Sequence, residues 1–268
     1  MAVKNIVKIM NFHALLRVNN ARRRVEKSYE YEKALKKVIG SIINNRIFKQ
    51  EHVSLKLNER AKELNIYMGS DLGFCASFNS DVQRFLREDE DRNDKIVIGK
   101  RISTKNYKNI LLTIEKEQFN ERYDEVFNIV LEGILQRAYS KINIIYVHYY
   151  NLQRQEIIKR TIFPFDYGDK LDDFNAKESH EDYVVEGDLS YIIWNLISIY
   201  VSTEILIAES WSWASENVER QKFTDESLKK IDEREEEKAK VALKAKHAES
   251  FKTIVEMNNR KIRDRKEE

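Results

Sequence analysis

The chain has 268 residues with only 7 Gly and 1 Pro, while Asp, Glu, Lys and Arg make up 34% of it. So few chain breakers disfavour all-β folds, collagen-like repeats and Pro-rich linkers, and point to long helices with charged faces. Lys plus Arg number 47 against 45 Asp plus Glu, a formal charge of +2, so the whole chain lacks the basic excess of an electrostatic nucleic-acid binder and its charge logic must be local.

From Val3 to about Phe48 there is no Pro, and the first Gly is Gly40. Val7, Asn11, Ala14, Arg17 or Val18, Ala21, Val25, Ser28, Glu32, Leu35, Ile39 and Ile42 recur at alternating spacings of three and four, a heptad seam. Several of these positions are small or polar, which predicts a helix of about 65 Å that touches a partner along its length without deep burial.

The middle has a different grammar. Leu64–Gly69, Lys95–Gly99, Asn109–Ile114 and Ile142–Tyr150 are β-branched and aromatic runs of strand length. Helical stretches at Ser80–Arg87 and Gln118–Tyr139 alternate with them, predicting an α/β unit with a mostly parallel sheet. The segment that closes at Pro164, the only proline, follows Tyr150 closely enough to be a hairpin partner on a sheet edge. Asp166–Asp182 is polar and acidic and reads as an exposed loop.

After Gly187, Asp188 is a candidate N-cap, and from there to Glu268 the chain has neither Gly nor Pro. As one helix this stretch spans about 120 Å, more than twice the diameter of about 50 Å that a compact chain of this size would have. Such a helix must protrude. Its first part is apolar enough to be packed on several sides, whereas Leu228, Ile231, Ala242, Ala245, Ala248, Phe251, Val255 and Ile262 form only a thin stripe among charges. The fold class expected is therefore α/β: a long antiparallel two-helix coiled coil of the N- and C-terminal helices with an inserted Rossmann-like domain of mostly parallel strands. Residues 1–58, 59–187 and 188–268 divide into first arm, central domain and last arm.

Chemistry-bearing motifs are sparse. A lone cysteine, Cys75, rules out an internal disulfide framework or a cysteine-built zinc site and fits a reducing compartment. It could be a nucleophile after a strand, but no base partner can be named, and a small buried hydrophobe is the simpler reading. There is no GxxxxGK[ST] loop, and Gly69–Phe74 lacks the full GxGxxG pattern. His13, His52, His148, His180 and His247 have no metal-ligand spacing, so no metal site is expected. The start has no uninterrupted apolar region before its basic cluster. The longest apolar candidate, Leu189–Ala208, is broken by Ser190, Asn195, Ser198, Ser202, Thr203 and Glu204, which disfavours both secretion and membrane insertion.

Three cationic clusters stand out: Arg22, Arg23 and Arg24 with Lys27; Lys244 and Lys246; and Arg260, Lys261, Arg263, Arg265 and Lys266. Each could grip phosphates or an acidic protein surface, or be the solvated face of a coiled coil with i to i+4 pairing. The first triplet has no acidic residue within a turn on its N-terminal side.

One motif joins this architecture to a family. Ser70-Asp71-Leu72-Gly73-Phe74-Cys75-Ala76-Ser77-Phe78-Asn79, after the strand NIYMG, resembles the SDRGLCGGFN segment of the gamma subunit, the central rotor stalk of F-type rotary ATPases. Leu16–Val25 resembles the family's MVAAAKLRRA and YEKALKKVI its YAEKLREVI. Tyr146–Pro164 has the spacing of its central Y-N-K-F-x-S-x-x-x-Q and L-L-P. Tyr183–Glu186 is similar to YIYEP, Leu196–Ile205 to LLPRYLRSQI, Ser215–Arg220 to SEHAAR, and Leu243–Ala248 to NRARQA. The matches occur in order over nearly the whole chain. Against them, the family's arginine is Leu72, its Gly-Gly is Ala76-Ser77, and its closing Arg and Gln are absent from Leu243–His247.

The resemblance implies a non-catalytic rotor turning inside a ring of three alpha and three beta subunits that bind ATP and Mg, with no cofactor in this chain. It implies that Arg22, Arg23, Arg24, Lys27, Lys244, Lys246 and His247 face the ring. Ser70, Asp71, Gly73, Cys75, Asn79, Ser215, Glu216 and Arg220 become structural motif positions. An epsilon-like subunit or adaptor proteins would sit at the base. The chain would be cytoplasmic, at the membrane's cytoplasmic face, touching the membrane only through partners and binding no nucleic acid. Relatives that hydrolyse ATP for other mechanical work, including gliding motility in wall-less bacteria, belong to the same family. The alternatives are a non-rotary coiled-coil scaffold and a stand-alone α/β enzyme using Cys75 or the acidic loop.

Overall fold

The computed structural model of the chain describes residues 2–44, 60–75, 77–164 and 187–267. Helix α1 (Ala2–Asn44) and helix α4 (Leu189–Glu267) have 43 and 79 residues. Between them in sequence come β1 (Glu63–Met68), α2 (Phe78–Glu88), β2 (Asp94–Ile98), β3 (Ile110–Ile114), α3 (Tyr123–Leu135), β4 (Lys141–Tyr149) and β5 (Gln155–Phe163). A single 3-10 turn, Lys116–Gln118, leads into α3. The acidic loop expected at 166–182, and His52 and His180, lie outside the described residues.

Helix α1 buries one stripe, and it is the heptad seam. Ala14, Val18, Ala21, Val25, Glu32, Leu35 and Ile39 are buried, and Val7, Asn11 and Ser28 are half-buried. Arg17 is exposed, so Val18 holds the seam position the spacing left open. The partner is α4, running antiparallel: Lys4 Nζ pairs with Glu235 Oε2 at 2.8 Å, Asn11 Nδ2 donates to Thr224 Oγ1 at 2.9 Å, and the Arg24 guanidinium lies 5.1 Å from the Trp213 ring centre. At the domain end, Gly187 has φ +113° and Asp188 caps α4, its Oδ1 accepting the Tyr191 N–H at 3.2 Å.

This register corrects one expectation. Because Lys4 already lies beside Glu235, α1 ends there, and α4 is exposed from Asp232 to Met257. Ala242, Ala245, Ala248, Phe251 and Val255 therefore do not pair with the first arm. Among the described side chains of that stripe, Leu228 and Ile231 alone are half-buried. Part of α4 is long and apolar enough to cross a membrane by composition, but half of that stretch is buried in the fold. Its polar interruptions are absorbed locally: Ser198 Oγ donates to Trp194 O and Thr203 Oγ1 to Ile199 O.

The sheet has the order β3-β2-β1-β4-β5, parallel except for β5, which pairs antiparallel with β4 as the expected edge hairpin. Alternate side chains serve two cores. Leu64, Ile66, Met68, Ile96, Ile98, Ile142 and Ile144 pack with α1, α3 and α4, while Tyr67, Val97, Ile145 and Val147 pack with Phe78, Val82 and Leu86 of α2. Helix α3 is shorter than its predicted span Gln118–Tyr139. Arg137 enters the left-handed region at φ +54°, and Tyr139 folds back until its ring fills the space a Cβ on Gly133 would need. The Tyr139 hydroxyl then donates to Asp94 Oδ2 at 2.8 Å.

Candidate functional site

The loop from β1 into α2 is fixed by its own polar side chains. Asn79 Oδ1 accepts the Ser70 N–H at 3.0 Å, and Asn79 Nδ2 donates to Ser70 Oγ at 2.8 Å and Cys75 Sγ at 3.2 Å. Ser70 Oγ in turn donates to the Leu72 carbonyl at 2.9 Å. Asp71 points the other way: Oδ1 accepts the Lys100 N–H at 2.8 Å and Oδ2 the Glu117 N–H at 2.9 Å, so one carboxylate ties together the loops after β1, β2 and β3. Burial pushes this carboxyl up, but those amides and that of Lys116 outweigh it and hold Asp71 below the usual carboxylate range. The crossing needs a backbone without a Cβ at Gly99, whose φ is +112° and whose added carbon would come within 2.7 Å of the Gly69 carbonyl carbon.

Helix α4 docks onto this loop. Arg220 Nη2 donates to Glu216 Oε1 at 2.6 Å and Nη1 to Asn217 Oδ1 at 3.0 Å, with Nε directed at the Gly73 carbonyl 3.5 Å away. Glu216 Oε2 meets Lys116 Nζ at 3.1 Å, and all three charged side chains are buried. Ser215 is buried on the same turn, its Oγ without a hydrogen bond among the described residues. Two motifs far apart in sequence, Ser70–Asn79 and Ser215–Arg220, thus form one contact between domain and shaft. Lys116 completes it, and nothing in its local sequence distinguished it from a surface lysine.

Cys75 is the small buried side chain of this loop. It is 3% exposed, and burial pushes its thiol up, away from the thiolate a nucleophile requires. No group of three or more His, Cys, Asp or Glu capable of holding a metal occurs among the described residues.

The cations are not brought to one place. Arg22, Arg23 and Lys27 are exposed on α1 with no ion pair among the described residues, and Arg24 is exposed but stacked on Trp213. Lys244, Lys246 and His247 lie on the unpaired length of α4. Since Arg24 sits level with Trp213, the two groups are about 45 Å apart along the shaft. The third basic cluster is helical, but its side chains lie outside the described residues.

A second junction, unforeseen as a site, lies nearer the domain end of the shaft. Arg160 on β5 donates through Nη2 to Glu204 Oε1 of α4 at 2.8 Å and to Glu32 Oε1 of α1 at 3.1 Å. Lys36 pairs closely with Glu32 and lies 3.7 Å from Glu204. The available signal was a charge in each buried register: Glu32 stands in the heptad seam, and Glu204 interrupts the apolar run.

Fold and junctions together define a stalk: a stiff antiparallel shaft, one arm overrunning the other, with an α/β domain fastened to its side. A family model described as ATP synthase matches residues 1–250, and the chain belongs to that family. Its relatives include the ATP synthase gamma chain of Clostridium perfringens, 23% identical over 246 residues that cover 86% of this chain and 82% of that one. The gamma chain of Mycoplasmoides gallisepticum is 26% identical over 185 residues, 64% of each chain. A chain in the central stalk and c-ring structure of the Tetrahymena thermophila mitochondrial ATP synthase superposes with a TM-score of 0.59 at 18% identity, covering 83% of this chain and 99% of that one. This last likeness is one of fold.

Proposed function

We propose that the chain is the central-stalk rotor of a rotary ATPase, a gamma-type subunit that couples ATP turnover in a surrounding ring to rotation. The observation that carries this is the shaft with its domain tied on by ion pairs to buried carboxylates, in a chain whose family match runs over 250 of its residues. Torque requires stiffness, and neither Gly nor Pro interrupts α4 over its 79 residues. A single asymmetric shaft also presents different faces to three equivalent catalytic subunits and so biases their states differently as it turns.

On this reading ATP and Mg are bound and the chemistry is done by alpha- and beta-type partners in 3:3:1 ratio to the shaft. The exposed cations Arg22, Arg23 and Lys27, and farther along Lys244, Lys246 and His247, face acidic surfaces of that ring, where charge acts across a moving gap without an interlock. The α/β domain, with an epsilon-like subunit or adaptors, lies at the base against the cytoplasmic face of a membrane that the chain itself does not enter. Copurification of the native chain tests this. Alpha- and beta-type subunits in threefold excess support the rotor, whereas self-association without ATPase partners would restore the scaffold reading. Among foot proteins, a membrane ring indicates a synthase. Other adaptors indicate a motor with another output such as gliding, a second reading that Leu72 and the lost Arg and Gln at Leu243–His247 favour.

A further inference from the structure

The junction of Glu32, Arg160 and Glu204 has an unusual composition. Two carboxyl groups, 3% and 1% exposed, converge on the same guanidinium nitrogen and lie within hydrogen-bonding reach of one another. Glu204 Oε2 is buried and accepts no hydrogen bond among the described residues. The other charged and titratable groups facing the pair are Lys36 from α1, Tyr200 from α4 and Tyr146 from β4. Both cations are partly solvated, Arg160 30% and Lys36 37% exposed, so they compensate two full negative charges on carboxyl groups this deeply buried only in part.

We propose that Glu32 and Glu204 hold one proton between them and that this pair is a pH-dependent clasp fastening strand β5 to both shaft helices. A proton on Glu204 Oε2, the oxygen that accepts no hydrogen bond among the described residues, converts a buried like-charge contact into a hydrogen bond to Glu32. The electrostatics agree in direction: burial foremost, then Glu32 alongside, push Glu204 up, while Glu32, despite its burial, is held down by the hydrogen bond to Glu204 and by Lys36 and Arg160. When the proton leaves, two buried negative charges lie side by side against the partly solvated Arg160 and Lys36, and the edge strand loosens from α1 and α4. The stiffness of the joint between shaft and domain then falls as pH rises.

The full chain, with its glutamate carboxyl carbons labelled with carbon-13, tests this by NMR titration. A glutamate signal is expected to titrate well above the usual value of about 4.3 and to vanish in Glu204→Gln, which distinguishes it from Glu209, also pushed up by burial. Hydrogen exchange supplies the mechanical readout. After correction for intrinsic exchange, amides of β5 and of α1 around Glu32 should lose about tenfold in protection between about pH 6 and about pH 9 in the wild type. Glu204→Gln, which keeps the shape and donor of the protonated acid, should keep that protection. Glutamates that all titrate in the ordinary range, or equal loss of protection in both proteins, would overturn the clasp. Should Glu204→Gln not fold, the wild-type exchange decides: unchanged protection of β5 and of α1 around Glu32 between about pH 6 and about pH 9 overturns the clasp.

Discussion

Lys116, from the 3-10 turn after β3, and Glu216, from the middle of α4, meet at 3.1 Å with both side chains buried. Neither charge can reach bulk water, so the energetics of the contact lie in what happens when one partner is lost. Glu216→Ala takes from Lys116 and Arg220 the carboxylate they share, and removing one member of a buried pair costs about 3–5 kcal/mol. Lys116→Met should cost less, because Glu216 keeps its 2.6 Å bond from Arg220. Urea denaturation of the full chain measures both, and equal losses in the two variants would show that the pair with Arg220 is immaterial.

Asp71 makes a prediction about acid. Its native carboxyl is held below the usual carboxylate range, so the native state binds this proton less readily than the unfolded chain does. Its stabilising effect is therefore present above the unfolded value of about 3.9 and is lost as pH falls through the depressed native one. Asp71→Asn cannot be protonated and accepts through only one oxygen. It should be less stable near neutrality by about 1–3 kcal/mol, with a shallower loss of stability on acidification. Parallel acid titrations of wild type and variant would sink this account if the two curves kept the same slope.

How much of this could be read from the residues is uneven, for physical reasons. The arms, strands and edge hairpin follow from periodicity, which reports burial one element at a time. Val18 rather than Arg17 occupies the seam because a guanidinium there would be buried against α4 without a partner. The length of the paired region was not readable, since the thin stripe beyond Ile231 has the same spacing whether or not a helix covers it. Only the register set by Lys4 and Glu235 shows where α1 stops. The junctions were half visible. Ser70–Asn79 and Ser215–Arg220 were picked out, but as separate segments. Lys116 and Arg160 come from a turn and an edge strand, whose surface-like sequences say nothing of what packs over them.

Close approach of the helices makes a third prediction. Ala21 is 0% exposed and packs with Val18, Ala214 and Val218 in the shaft seam. A larger side chain there must push α1 off α4, and such overpacking costs about 1–3 kcal/mol. Ala21→Leu should lower the denaturation midpoint by that amount, while the same change at Ala34, an exposed position on the same helix, should leave it within about 0.5 kcal/mol. Equal effects would mean that the seam is loose.

The exposed cations of α1 should behave in the opposite sense. Reversing Arg22, Arg23 and Lys27 together to Glu removes no ion pair within the described chain, so stability should change by no more than about 0.5 kcal/mol per site. If these side chains face acidic ring surfaces, torque or ATP turnover in the assembled complex should drop, and the deficit should shrink as added salt screens the contact. A variant that folds normally and drives the ring at wild-type torque would remove the role assigned to them.

The overrun of α4 yields a prediction that separates the free chain from the assembled one. From Asp232 to Met257 every side chain is exposed, including Val241, Leu243, Phe251, Ile254 and Met257. A helix with no tertiary contact is held only by local terms and is marginal even when its sequence favours it. Ending the chain after Lys238 should therefore leave the denaturation midpoint of shaft and domain unchanged within about 0.5 kcal/mol, because no contact of that core is removed. In the free full-length chain the amides of 239–257 should exchange fastest of any helical segment. In the complex they should become protected, since the exposed apolar side chains then gain a partner that the chain itself does not provide. Exchange that stays fast in the assembled motor would show that the tip does not enter the ring. The truncated chain would then be expected to couple ATP turnover to rotation as well as the intact one.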